Sequence, residues 1–330
     1  MSLEAPQRVV WAETLVRLIP EDPRILVLDG DLANSTRADI VAAACPDRFL
    51  ELGIAEQNLV GVAAGLATMG FRPWISTFAV FAAERALDQV RMTVAQTHLP
   101  VRIAAGYSGL LTGLTGKTHQ SVEDLAIMRA MPHMAVLCPA DASECAAAVA
   151  WAAAHPGPAY VRLARDPVPP LPGAAPGPFD PSRGRWLRRG ADLTLVGTGT
   201  QSGRLAEAAT LLSAAGVDAG VLHLPALRPF DRTALLEAAE AGTVIAVEEH
   251  SRTGGLGGLV AETLAEERPT KVVRWGIPDV FGESGPNAAL LSAFGLSAKH
   301  VAERVLRLRA GLPDLPLPDL PPPPREGDVP

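Results

Sequence analysis

The stretch Glu51-Leu52-Gly53-Ile54-Ala55-Glu56-Gln57-Asn58 runs directly into Leu59-Val60-Gly61-Val62-Ala63-Ala64-Gly65-Leu66-Ala67, a helix of small and apolar residues. Glu56 is thus an ionisable carboxyl at the mouth of an apolar segment. A carboxyl buried in such a place is expected to hold its proton more tightly and to exchange it with a ligand nitrogen near neutral pH. Gly61 and Gly65, one turn apart, would let another backbone approach closely, which predicts an internal helix. Spacing alone leaves a second reading open, in which Glu56 only complements the helix dipole.

Around this helix, short β-rich runs alternate with long helical ones. Arg24–Asp29, Trp74–Phe78, Val101–Ala105, Met134–Cys138 and Tyr160–Leu163 read as strands, with helices over Ala82–Thr97 and Ala142–Ala154. Strands alternating with crossover helices predict a doubly wound α/β domain with a parallel sheet. Asp31, Phe78, Tyr107 and Arg165 then fall at or just past strand C-terminal ends, where such sheets bind ligands. A Pro-, Gly- and Ala-rich stretch follows, and a second, smaller α/β domain is expected beyond it. Its strands are Leu193–Val196, Asp218–His223, Thr243–Val247 and Lys271–Arg274. The expected boundaries are 1–165 for the first domain, 166–184 for the linker and 185–310 for the second domain. Residues 311–330 are expected to be a disordered tail, since Leu312 to Pro330 contains eight prolines.

Composition narrows the function classes. A length of 330 residues suits two domains of ordinary size. No apolar run reaches the ~20 residues of a membrane span, and the N-terminus has no signal-peptide pattern, so a cytoplasmic protein is expected. Cys45, Cys138 and Cys145 lie in apolar segments without metal-ligand or disulfide spacing, and no metal ligands are assigned. A formal charge of -7 with no basic run argues against nucleic acid as a partner. Gly254-Gly255-Leu256-Gly257-Gly258, after Glu248-Glu249-His250, matches no phosphate-loop pattern and reads as structural.

Gly53-Ile54-Ala55-Glu56-Gln57, together with Phe78-Ala79-Val80-Phe81 and Thr118-His119-Gln120, resembles the pyrimidine-binding half of thiamine-diphosphate enzymes of the transketolase family. The resemblance runs from about Arg8 to about Leu308. It implies that Glu56 bonds the aminopyrimidine of the cofactor and activates it. Phe78 and Phe81 would form an aromatic wall against that ring, and Asp31 and Leu32 would lie at the cofactor cleft. His119 would face the substrate beside the thiazolium and move a proton. Arg8, Ser35 and Arg165 match positions that clamp a sugar phosphate, a role favoured over the blander reading of Arg8 and Arg165 as surface or interface salt bridges. Arg85 reads better as a solvated or interface ion pair than as part of the pocket.

Two departures from the family pattern bear on specificity. Tyr107 stands in place of a phosphate-binding histidine, and Thr115 in place of an aspartate that reads a sugar hydroxyl. The resemblance therefore implies a donor or acceptor unlike the common pentose phosphates. The family's diphosphate and magnesium site, Gly-Asp-Gly with a downstream Asn, belongs to a more N-terminal domain. Gly30-Asp31-Leu32 with Asn58 only mimics it. The expectation is the C-terminal subunit of a split transketolase, working in an α2β2 assembly with an N-terminal subunit that holds the magnesium. It would pass a two-carbon ketol unit from a ketose, expected as a phosphate, to an aldehyde. Alternatives are the β subunit of a 2-oxo-acid dehydrogenase E1, a deoxyxylulose-phosphate synthase, normally one long chain, and a non-catalytic paralogue.

Overall fold

A computed structural model of the chain describes residues 5–173 and 178–315. The first sheet contains β1 (Ile25–Asp29), β2 (Phe49–Glu51), β3 (Arg72–Phe78), β4 (Arg102–Gly106), β5 (Ala135–Leu137) and β6 (Ala159–Arg162). The second contains β7 (Arg185–Arg188), β8 (Leu193–Thr198), β9 (Ala219–Leu224), β11 (Thr243–Ser251) and β12 (Lys271–Ile277). The order is β10-β5-β6-β4-β3-β1-β2 in one and β12-β11-β8-β9-β7 in the other, where β10 is Ala226–Arg228. Every pairing is parallel except those of β10 with β5 and β7 with β9. β1 and β4 are buried along their whole length, as strands covered on both faces must be. The chain thus forms the two α/β domains that the strand pattern implies.

Several details differ from the sequence expectation. A helix over Gln7–Leu18 lies on the first sheet, and its Trp11 stacks on Trp74 at 6.3 Å. The segment expected as one helix over Ala82–Thr97 is wound partly as wide π turns, Phe81–Arg85 and Val90–Ala95, with amides reaching five residues back from Ala86 to Phe81 and from Gln96 to Arg91. Gly61 and Gly65 on the helix Glu56–Thr68 are exposed, and a Cβ at either would meet nothing within 4 Å. Among the described residues, therefore, no other backbone packs on them.

The boundary between the domains is interlocked. β10 comes from the second half of the chain yet closes the edge of the first sheet, with Ala226 opposite Leu137. Leu171, inside the expected linker, is buried and its amide donates to Asp141, which also caps the helix Ala142–Ala154 through the Glu144 amide. The expected disordered tail is tied down at its start, because Arg304 pairs with Asp314 and the Leu312 amide donates to the Arg307 carbonyl. The rest of that tail, residues 316–330, lies outside the described residues.

A buried chain of hydrogen bonds crosses the domain junction. Glu144 of the first domain accepts from His223 Nε2 at 2.9 Å, and His223 Nδ1 lies 2.7 Å from Ser202 Oγ. Ser202 and His223 are fully buried. The Glu144 carboxyl is held below its ordinary range, because the charge and hydrogen bond of His223 and the Ala140 amide outweigh its burial. Removing one partner of such a pair leaves the other desolvated and unpaired. His223→Ala should lower thermal stability by about 3 kcal/mol, read by calorimetry. A change below about 0.5 kcal/mol, the range of ordinary surface substitutions, would show that the junction does not depend on this bridge.

Candidate functional site

Four strands of the first sheet deliver side chains to one edge. β1 leads to Asp31, β3 ends on Phe78, β4 leads to Tyr107, and β6 leads to Arg165. Tyr107 and Asp31 take left-handed backbone, φ 59° and 63°, which non-glycine residues rarely adopt unless surrounding contacts hold them. Tyr107 is held by packing: it is 5% exposed, and its ring stacks on Phe78 with centroids 3.9 Å apart. Phe78 stacks on Phe81 at 5.7 Å, and His119 sets its edge against both, at 5.6 and 5.7 Å. His119 Nδ1 lies 2.8 Å from the Thr118 hydroxyl. Four residues distant in sequence thus form one aromatic surface.

Glu56 stands at one end of this row. It opens its helix, is 1% exposed, and accepts from Arg85 Nη1 at 2.9 Å with both carboxylate oxygens. Arg85 also lies over the Phe81 ring at 4.3 Å. The π turn explains this placement, since a widened turn brings Arg85 back over Phe81 while still reaching Glu56. Arg85 is an ion pair, as the sequence suggests, but its partner is Glu56 itself. On the same turn, Glu84 is pushed up to about 7 by burial and by the neighbouring charge of Glu123. The sequence carries no signal for that pairing.

Arg165 stands at the other end, its guanidinium 5.5 Å from the Tyr107 ring centroid. It pairs with Asp166 at 2.7 Å, and Asp166 also accepts from Asn287 Nδ2 at 2.6 Å. These residues border a cavity of about 230 Å³ together with Thr112 and Thr115, whose hydroxyls lie 2.9 Å apart. The second domain therefore supplies a wall. It also fixes the loop after β4, because Glu249 accepts from the amides of Leu110 and Leu111 at 2.7 and 3.2 Å. Gly109, at φ 70°, passes so close that a Cβ would sit 2.5 Å from that carboxylate. Arg165 and Thr115 were legible as candidates; Asp166 and Asn287 were not. Asn287 lies 121 residues from its partner, and no local pattern marks it.

Arg8 and Ser35 do meet, but not as a pair of phosphate donors. Arg8 Nη1 donates to the Ser35 backbone carbonyl at 2.8 Å, and the Ser35 hydroxyl turns to Asn34. Leu32 donates its amide to Asp29, and Asp31 donates its amide to Glu51. The glycine cluster at 254–258 does not form a phosphate cradle. Glu248 takes the amides of Leu256 and Gly257 at the start of the helix Leu256–Glu267, and a Cβ on Gly255 would collide with that carboxylate. Among the described residues no group of three His, Cys, Asp or Glu side chains is placed to hold a metal, and no helix is long and apolar enough to cross a membrane.

Residues 5–170 match the transketolase pyrimidine-binding domain and residues 182–301 match the transketolase C-terminal domain. The chain belongs to the transketolase family. An uncharacterised transketolase family protein of Sinorhizobium fredii is 39% identical over 299 residues, covering 89% of this chain and 86% of that one. A 6-deoxy-6-sulfo-D-fructose transketolase subunit of Clostridium sp. strain MSTE9 is 37% identical over 295 residues, covering 89% of this chain and 91% of that subunit. Among solved structures, a split-gene transketolase in an inactive β4 tetramer superposes with a TM-score of 0.83 at 44% identity. That match covers 92% of this chain and 97% of the other. Family membership implies dependence on thiamine diphosphate.

Asp29, under the Asp31-Leu32 turn, offers a pH test of the cleft floor. Burial pushes its carboxyl up to about 6 from 3.8, against the hydrogen bonds of Ser76, Leu32 and Thr36 that favour the charged form. An acid whose folded pKa is raised lowers stability as pH rises from the unfolded to the folded value. Two units correspond to about 3 kcal/mol lost between pH 4 and 6. Asp29→Asn should remove this component, so the difference between the two unfolding curves should slope across that window and flatten above it. A flat difference from pH 4 to 7 would place the titration elsewhere.

Proposed function

We propose that this chain supplies the pyrimidine-binding half of a thiamine-diphosphate-dependent transketolase that moves a two-carbon ketol unit from a ketose to an aldehyde. The observation that carries the reading is Glu56: a carboxylate 1% exposed, at the end of an aromatic row that includes His119. These residues fit a flat, basic heterocycle, because Phe78 and Phe81 offer ring faces and Glu56 offers a desolvated proton-exchanging oxygen. When bound, thiamine diphosphate supplies a stabilised carbanion for cleaving and forming the carbon–carbon bond beside a ketone.

In this reading Glu56 hydrogen-bonds the pyrimidine nitrogen and exchanges a proton with it at a carboxylate oxygen. Phe78 and Phe81 fix the plane of the ring and exclude water from one face. His119, set edge-on against Phe78 and Phe81, moves a proton to or from a substrate hydroxyl oxygen at a ring nitrogen. Asp31 and Leu32 line the cofactor cleft, and Tyr107, Thr115 and Arg165 orient the sugar, whereas Arg8 is bonded to the Ser35 carbonyl and the Ser35 hydroxyl to Asn34. Glu56→Gln keeps the shape and one hydrogen bond but cannot complete the proton exchange. Turnover of the assembled enzyme should fall by roughly 10²–10⁴, with partner assembly retained on a sizing column. Near-normal activity of the Gln variant would remove Glu56 from the mechanism.

The cofactor's charged end is assigned to a partner subunit carrying magnesium, in an α2β2 assembly with the cofactor at each heteromeric seam. The similar split-gene transketolase, inactive as a β4 tetramer, supports this division. The chain alone should therefore bind thiamine diphosphate weakly even with magnesium present, since hard-cation bridges to the diphosphate are missing. Calorimetry on the lone chain showing micromolar, magnesium-dependent binding would contradict the split.

A further inference from the structure

At the far end of the aromatic row from Glu56 lies the cavity of about 230 Å³. Its polar walls come from the loop after β4 (Thr112, Thr115), the residues after β6 (Arg165, Asp166), and the start of the helix Asn287–Ala293. Among the described residues lining it, Arg165 is the one cation and Asp166 the one anion, and they are paired at 2.7 Å. Asp166 is not free to swing aside. Its second oxygen accepts from Asn287, whose own Oδ1 accepts from the Gly113 amide at 2.8 Å. The charge of Arg165 is therefore opposed by a carboxylate held from the other domain. Arg8, the other cation expected to meet a phosphate, does not line this cavity.

We propose that the cavity receives the uncharged, hydroxyl-bearing end of the sugar, and that Asp166 selects this end against a phosphorylated one. The proposal rests on the ketol-transfer reading for its substrate class. A phosphate dianion only accepts hydrogen bonds and would have to lie against the clamped carboxylate. A sugar hydroxyl both donates and accepts, so it can donate a hydrogen bond to Asp166 while accepting one from Arg165. Arg165 Nε is buried and has no hydrogen-bond partner among the described residues. Sites built to pair hydroxyls discriminate strongly, because a ligand that cannot complete the pairing leaves their polar groups unpaired.

The test uses the assembled complex of this chain with its partner subunit and two polyols that lack a reacting carbonyl, ribitol and ribitol 5-phosphate. Binding is read by calorimetry or ligand-observed NMR. Ribitol should bind about tenfold more tightly than its phosphate ester, and Asp166→Asn should reverse the order, weakening the polyol and tightening the phosphate by about tenfold each. Tighter binding of the phosphate ester by the unmodified complex overturns the proposal. So does binding of neither ligand at millimolar concentration, or an equal loss of both in Asp166→Asn, the result of a merely structural role. If that variant does not fold, the ranking in the unmodified complex decides by itself. Ketol transfer, assayed separately on phosphorylated and free ketoses, tests the underlying reading: no transfer from any ketose counts against that reading, while the polyol ranking still decides the role of Asp166.

Discussion

The sheet edge that carries the candidate site depends on a buried charge pair. Asp124, fully buried, accepts from the Tyr160 hydroxyl at 2.8 Å and from Arg162 Nε and Nη2 at 2.9 and 3.1 Å. Burial alone would drive Arg162 toward neutrality, but the charge and hydrogen bonds of Asp124 override it and hold the guanidinium above its ordinary value. Arg162 also donates to the backbone carbonyls of Ser121 and Glu249, and the Glu249 side chain binds the loop amides at Leu110 and Leu111 and the Arg204 guanidinium. One knot therefore joins the end of β6, the loop bearing His119, the loop after β4, and the second domain. Removing Asp124 or Arg162 would leave its partner as a desolvated, unpaired charge.

This knot also explains how much of the fold could be read from the chain. The apolar run Ile25–Leu28, and Leu193–Val196 broken only by Thr194, announce buried parallel strands. Short edge strands carry no such run. Phe49–Glu51, Arg185–Arg188 and Ala226–Arg228 pair only because a neighbour already presents an open edge. The helix Gln7–Leu18 follows Pro6 without a side-chain cap, and its β-branched Val9 and Val10 give it no strong local helix signal.

The site divides along the same line. Phe78 and Phe81 are three residues apart and Glu56 sits in a local motif, so both are visible in sequence. What those residues touch is not. The Arg85–Glu56 bond depends on the extra residue in a π turn, and the Asp166–Asn287 bond depends on two domains meeting. The exposure of Gly61 and Gly65 makes the same point in reverse. Small residues at helical spacing signal a close approach only when something approaches, and among the described residues nothing does.

Both ends of the aromatic row carry a matched pair of charges, Arg85 with Glu56 and Arg165 with Asp166. The surface between them is uncharged ring. A cleft arranged this way attracts ligands weakly by net charge, so its selectivity must come from hydrogen-bond geometry and ring contact rather than from long-range attraction, which salt would screen in any case. The replacements at Tyr107 and Thr115 fit that logic. Each puts a neutral hydroxyl where the family pattern has a titrating or charged group, and each lies beside the Arg165 pair, by ring contact for Tyr107 and across the cavity for Thr115. The departures from the family pattern therefore form one coherent change, a distal pocket whose charge is balanced and whose remaining valences are hydroxyl and amide. Under the proposed ketol-transfer reading, such a pocket suits a hydroxyl-bearing end better than an anion.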